Sequence, residues 1–275
     1  MLDKNELIRY QRQMQLRELG LGGQQKLKQA KVLVVGAGGL GCSVLHYLVA
    51  SGVGEIGIVD FDMVSVSNLQ RQVLYTIEDT GKSKVECAIR YLSKQNEYVE
   101  LKGFPVELTN KNAIEIFNGY DIIVDGTDNF ETRYVINDAC VLLGKPLVYG
   151  AVYRFEGQVS VFNYTKNMLQ GPTYRCLFPE PPTPGAFWGC VDAGVLGVVP
   201  GMIGCMQANE VFKIITGIGE VLSGKLVLIN TLTMRSDNVL IDRCNLALTA
   251  MPASVEEFEV YDYKLFCSNA TQTNL

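Results

Sequence analysis

The sequence predicts an α/β fold, a doubly wound and mostly parallel sheet extended by antiparallel strands. Three observations predict it. Short apolar runs alternate with helical stretches from Lys31 to about residue 157, as βαβ units do. A glycine-rich turn closes the first of those runs, and from Gln158 onward the strand-like segments crowd together.

In chain order, "KNELIRYQRQMQLREL" (residues 4–19) has helical composition and reads as one amphipathic leading helix ending at Gly20 as its C-cap. "KVLVVG" is the first strand, followed by a helix to Ala50 and the strand "EIGIVD". Helices near "SKVECAIRYLSKQ", "NAIEIF" and "RYVINDACVLLG" then alternate with "VELKGFPVEL", "DIIVDGTD" and "PLVYGAVY". "QVSVFNY" and "KLVLINTLT" flank a helix near "GMIGCMQANEVFKIITG" and read as antiparallel additions to the same sheet. Residues 168–190, rich in proline and glycine, read as a long ordered crossover loop. The division expected is a single domain over residues 1–244, followed by an extension, 245–275. Within the domain lie a leading helix (1–30) and two halves (31–157 and 191–244) on either side of the crossover loop. In the extension "EEFEVYDYKLF" reads as a strand, and the final "CSNATQTNL" as frayed.

With 275 residues, 48% of them hydrophobic, the chain can bury a large core. A net charge of -5 without basic runs argues against nucleic acid. No apolar run reaches membrane-spanning length and the charged N-terminus is no signal peptide, so no membrane partner and a cytoplasmic location are expected. The eight cysteines are then expected reduced. Cys42, Cys87 and Cys140 read as small core residues, as does the single histidine, His46.

Gly36-Ala-Gly-Gly-Leu-Gly41 combines the glycines that a tight turn, a close approach to phosphate and helix packing require. Asp60 follows Gly41 by 19 residues, the distance at which an acidic residue meets a ribose. A nucleotide site follows, built from Gly36, Gly38, Gly39, Gly41 and Asp60. Asn68, Gln70, Arg71 and Gln72 come straight after the second strand, then Lys82 and Lys84, and "VDGTDN" sets Asp125 and Asp128 at another strand end. Cations around a phosphate chain with a carboxylate for Mg²⁺ favour ATP over NAD. A carboxylate attacking an α-phosphate is already ionised and needs no histidine.

"RYQRQ", "GAGGLGC", "DFDMVSVSNLQRQ", "GKSKVE", "DGTDNFETR", "YRCLFPEPP" and "GCVDAGVLGVVPG" together resemble the MoeB/ThiF-type adenylyltransferases, bacterial relatives of ubiquitin-activating enzymes. The resemblance runs from about Asp3 to Cys244. It implies a Rossmann-like fold and Mg-ATP-dependent adenylation of the C-terminal glycine of a ubiquitin-like sulfur carrier ending in Gly-Gly, in a molybdopterin or thiamine type of pathway. It also implies a homodimer in which Arg12 reaches the neighbour's phosphates. By the same resemblance Arg71 and Lys84 stabilise the α-phosphate transition state, Asp60 binds ribose and Asp128 takes magnesium. Asp62, Ser67, Asn68, Leu69, Gln70 and Asn129 would complete the nucleotide pocket. Asp125 is expected to cap its strand; Arg133 is either part of the site or a helix-surface charge.

Members of that family commonly bind zinc through two Cys-x-x-Cys pairs. Here "TYRC" and "CNLA" leave only the remnants Cys176 and Cys244. The expectation is a loop held by packing without zinc, with replacement ligands from Cys190 or Cys267 as the alternative. Cys190, in "WGCVDAG", matches a position that forms an acyl-persulfide in the thiamine branch; without a nearby histidine a structural role is favoured over a catalytic one. Phe187 and Trp188 beside it suit a clamp on a flexible tail. About thirty residues after Cys244 are too few for a sulfurtransferase domain, so a separate sulfur donor is expected. Competing readings are adenylation of another peptide C-terminus in natural-product tailoring, an NAD-dependent oxidoreductase, and an inactive scaffold subunit.

Overall fold

The computed structural model describes residues 2–181 and 194–269. Helices α1 (Lys4–Arg9), α2 (Gln11–Met14) and α3 (Gly20–Gln29) precede β1 (Lys31–Val35), α4 (Gly39–Ala50), β2 (Glu55–Val59), α5 (Lys84–Gln95) and β3 (Glu100–Phe104). Next come α6 (Ala113–Asn118), β4 (Ile122–Asp125), α7 (Phe130–Leu142), β5 (Leu147–Tyr153), β6 (Glu156–Phe162), the hairpin β7 (Thr165–Lys166) and β8 (Leu169–Gln170), and α8 (Tyr174–Leu177). The long helix α9 (Val198–Thr216), β9 (Lys225–Asn230), β10 (Arg235–Leu240) and helices α10 (Asn245–Leu248), α11 (Val255–Val260) and α12 (Tyr263–Asn269) complete the described chain.

One eight-stranded sheet has the order β10-β9-β6-β5-β4-β1-β2-β3. Its β3-β2-β1-β4-β5 part is parallel, and β6, β9 and β10 add to it antiparallel. The expected extended, doubly wound sheet is therefore the observed one. Side-chain alternation builds a core on each face. Val32, Val34, Ile56 and Ile58 pack with Leu45, Leu48 and Val85 on one face, while Leu33, Val35, Val59 and Ile123 pack with Phe117, Tyr134 and Ile136 on the other.

From β1 the chain proceeds outward to β2 and β3, then returns to β4 on β1's other side. That reversal leaves a crevice beyond the carboxyl ends of β1 and β4, the ligand position of doubly wound sheets. α9 closes it from one side and packs closely on α4 because Gly204 carries no Cβ; a methyl there would lie 2.5 Å from the Leu40 carbonyl oxygen.

Three expectations change. The leading segment is not one helix: Asp3 closes a capping box with Glu6, but Tyr10 leaves the helical path. It is buried to 2% and its hydroxyl accepts from Asn96 Nδ2 at 2.9 Å. Gly20, with φ +56°, opens α3 rather than ending its predecessor. In the extension "EEFEVYDYKLF" forms α11 and α12 instead of a strand. Ser254 caps α11 at Glu257 N, and the Asn110 amide donates to the carbonyls of Phe258, Glu259 and Tyr261 at its other end. In the described part of residues 168–190, regular structure appears as β8 and α8.

The extension is anchored by charge as well as apolar contact. Arg175 and Asp138 are both 0% exposed and paired twice, Nε–Oδ1 at 2.8 Å and Nη2–Oδ2 at 2.7 Å. Tyr263 of α12 donates its hydroxyl to the same Asp138 Oδ2 at 2.8 Å. Among the described residues no helix is long and apolar enough to cross a membrane.

Candidate active site

The site begins with a backbone shape. Gly36 has φ +92°, and a Cβ there would approach the Gly126 carbonyl oxygen to 2.7 Å. The turns after β1 and β4 thus touch through backbone alone. Gly38 N-caps α4 without a side-chain hydrogen bond, so the helix N-terminus is open to an anion. Ala37 is fixed at both polar atoms: its N–H donates to Asp60 Oδ2 at 2.7 Å and its carbonyl accepts from the Tyr75 hydroxyl at 2.8 Å.

Asp60, at the end of β2, also accepts from Asp62 N through Oδ1 at 2.8 Å. A carboxylate offers about four acceptor positions, so each oxygen keeps one for a ribose hydroxyl. Burial raises the Asp60 pKa, opposed by the nearby Lys84 charge. Lys84 is the first residue of α5, 4% exposed, and its Nζ lies 2.7 Å from Asp62 Oδ2. Arg71 lies against the glycine turn and donates from Nη1 to the Ser67 carbonyl at 3.2 Å.

From β4 the turn Gly126, Thr127, Asp128, Asn129 forms the opposite wall. Asp125 is buried behind it and accepts from Thr127 N and Oγ1 at 2.8 and 2.6 Å, in the strand-capping place expected. Desolvation raises its pKa, with Arg133 opposing. Arg133 is 8% exposed and lines the cleft, so it is not a surface charge. Asp128 is exposed, and its side chain has no hydrogen bond among the described residues.

The cleft therefore brings together Gly36, Gly38, Gly39, Asp60, Asp62, Arg71, Lys84, Asp128 and Asn129. Gly41 stands behind the wall, where a Cβ would meet the Gly36 carbonyl oxygen at 1.9 Å. Ser67, Asn68, Leu69 and Gln70 are outside the lining; Asn68 serves through its carbonyl, which accepts from the amides of Arg71 and Gln72 at 3.0 Å each. Arg12 is exposed on α2, away from this cleft. Cys190, with Phe187 and Trp188, lies outside the described residues. His46 is half-buried and pairs with Gln95 through Nδ1 at 3.0 Å, away from the cleft. Cys244 N donates to Cys176 Sγ at 3.2 Å, which makes the two remnants neighbours. Among the described residues no cluster of three or more His, Cys, Asp or Glu could hold a metal ion.

The structure adds Thr127, Thr132 and Pro200 to the walls and sets Gln72, already grouped with Arg71 in the sequence, among them. Gln72 is 4% exposed; its Nε2 would lie 3.6 Å from a Cβ on Gly38, and its Oε1 lacks a hydrogen-bond partner. Its position next to Arg71 was the available signal; Pro200 is brought in by α9 from far along the chain.

A model of the ThiF family matches residues 10–247. The chain belongs to the ThiF family. This ThiF-family chain is 50% identical over 265 residues to a sulfur carrier protein adenylyltransferase of Thermus thermophilus, covering 96% of this chain and 97% of that protein. It is 47% identical over 267 residues to adenylyltransferase and sulfurtransferase MOCS3 of Culex quinquefasciatus and 45% identical over 266 residues to the probable adenylyltransferase/sulfurtransferase MoeZ of Mycobacterium tuberculosis. Both alignments cover 97% of this chain but only 60% and 66% of those proteins, so the chain spans less than two thirds of their length. Among solved structures, E. coli MccB with ATP matches with a TM-score of 0.75 at 25% identity, over 86% of this chain and 71% of that one.

Proposed function

We propose that the protein adenylates the C-terminal glycine carboxylate of a ubiquitin-like sulfur carrier with ATP, releasing pyrophosphate. The reading rests on Arg71, Lys84 and Asp128 meeting the glycine turn in one cleft, in a chain half identical to a sulfur carrier protein adenylyltransferase. The open α4 N-terminus and the turn amides take the phosphates, and Asp60 takes ribose through its two spare acceptor positions. One carboxylate oxygen bonds to the α-phosphorus as the bond to the pyrophosphate oxygen breaks. Charge developing there is met by Arg71 and by Lys84. The attacking carboxylate is ionised near neutral pH, so the cleft needs no general base.

Asp128 fits a hard cation: it is an exposed carboxylate with unengaged oxygens at the cleft wall. It would hold Mg²⁺, which supplies neutralisation of phosphate charge when bound. A homodimer accounts for Arg12, which is exposed outside its own cleft on a leading segment that also exposes Leu7, Ile8, Leu16 and Leu21.

Pyrophosphate–ATP exchange with Mg²⁺ and a panel of carriers ending in Gly-Gly tests the reading. Exchange that appears only with a carrier supports it. Absence of exchange with every carrier, despite ATP binding, overturns the carrier assignment and leaves adenylation of another peptide terminus; tight NAD binding without ATP binding overturns the chemistry.

A further inference from the structure

Arg133 reaches the turn that carries Asp128 through Thr127 and Asp125. From the first turns of α7 its Nη2 donates to the Thr127 carbonyl at 3.0 Å. Its Nε faces Asp125 Oδ2 at 3.9 Å, while Asp125 Oδ1 holds Thr127 N and Oγ1. The guanidinium carbon lies 5.5 Å from the Phe130 ring centroid and 5.6 Å from that of Tyr149, inside the range of cation–π attraction. Both polar ends of Thr127 are thereby tied to one buried ion pair.

The other side of the turn is clamped by backbone. Gly126 N donates to the Val35 carbonyl at 2.7 Å, and a Cβ on Gly126 would lie 3.0 Å from the Gly36 carbonyl oxygen. Asn129 closes the arc by capping α7, its Oδ1 accepting from Thr132 N at 2.9 Å. Within the arc, Asp128 is the acidic side chain left to the cleft.

We propose that Arg133 is a positioning residue for the cation site: it fixes the 126–128 turn through Thr127 and Asp125, so that Asp128 is presented ready to bind, and it does not itself bind the nucleotide. The proposal rests on the reading of Asp128 as the Mg²⁺-holding carboxylate. Arginine suits the geometry, because one arm of its planar group bonds the Thr127 carbonyl at 3.0 Å while Nε faces Asp125 at ion-pair distance, 3.9 Å, and the guanidinium lies over aromatic rings. A lysine ammonium offers one point charge and no face.

The test needs no carrier and no turnover. Amide hydrogen exchange of residues 126–129, Mn²⁺ binding by electron paramagnetic resonance with a non-hydrolysable ATP analogue present, and binding of that analogue in EDTA are compared in wild type, Arg133→Lys and Arg133→Met. Expected for Arg133→Met are local exchange at least tenfold faster, Mn²⁺ affinity roughly tenfold weaker and metal-free analogue affinity unchanged, with Arg133→Lys intermediate. Arg133→Met strands the buried Asp125 charge and can cost the fold. The neutralised pair Asp125→Asn/Arg133→Met removes both charges and is expected to show the same weakened Mn²⁺ binding. Unchanged Mn²⁺ affinity in both variants overturns the positioning role. A loss of metal-free analogue affinity overturns it too, by making Arg133 a nucleotide ligand. A wild type that binds Mn²⁺ but shows no carrier-dependent exchange would instead count against the proposed function.

Discussion

Lys84 and Asp62 form an ion pair inside the cleft, Nζ to Oδ2 at 2.7 Å, with the lysine buried and the carboxylate half-exposed. The ammonium is thus positioned at the wall by Asp62, and a phosphate must compete with a carboxylate that solvent already weakens. Lys84→Ala should lower pyrophosphate exchange by about a hundredfold or more, the scale of a lost transition-state donor, while unfolding stays cooperative. A loss below about threefold would leave Lys84 a structural partner of Asp62.

Asp128→Ala should abolish exchange and leave the melting temperature near that of wild type, since the side chain is exposed. Normal exchange in this variant would remove Asp128 from the mechanism.

Gly41→Ala should cripple ATP binding. A Cβ at 1.9 Å from the Gly36 carbonyl oxygen cannot be absorbed by a rotamer change, so the turn must open, at a cost of about 1–3 kcal/mol or more. Thermal shift with ATP reads this directly: wild type is stabilised by the nucleotide and the variant is not.

The buried pair Arg175–Asp138 should make single changes costly. Arg175→Met leaves Asp138 charged without its partner, which costs about 3–5 kcal/mol; Tyr263→Phe removes one bond to the same carboxylate and costs about 1–3 kcal/mol. Urea midpoints measure both, and the order of the two losses checks that the α12 contact is secondary to the ion pair.

Asp79 gives a pH-dependent signature. The Thr76 amide, together with the Arg90 guanidinium, lowers its pKa to about 2, below the unfolded value of about 3.9. Its stabilisation is therefore complete above pH of about 4 and is lost as pH falls through about 2. Asp79→Asn should lower the melting temperature at pH 7, and its difference from wild type should shrink from pH 4 toward pH 2. A difference constant with pH would assign the effect to the capping geometry rather than the charge.

The sheet and its glycine turn were legible because both depend on local spacing: alternation in "KVLVV" and "EIGIV" sends neighbours to opposite cores, and the turn glycines answer to backbone collisions a few residues away. The sequence leaves Arg133 between two roles because its partners, Asp125, Thr127 and Tyr149, gather only when β4, α7 and β5 pack. The segment "EEFEVYDYKLF" alternates like a strand, yet Asn110, over a hundred residues earlier, caps the helix it forms. Tyr10 likewise breaks the leading helix for a pocket supplied by Gly52 and Asn96. Tertiary contacts overruled local preference in each case.

α9 touches the cleft through Pro200, which lies against Gly39, and reaches behind β4 through Gln207 Nε2, 2.7 Å from the Asp125 carbonyl oxygen. Between those points Gly204 presses on the α4 backbone with no side chain to act as a cushion. Mechanically, this helix is a stiff lever with three fulcra and almost no slack. The two walls of the cleft therefore hang from one support, the turn after β1 at Pro200 and the end of β4 at Gln207.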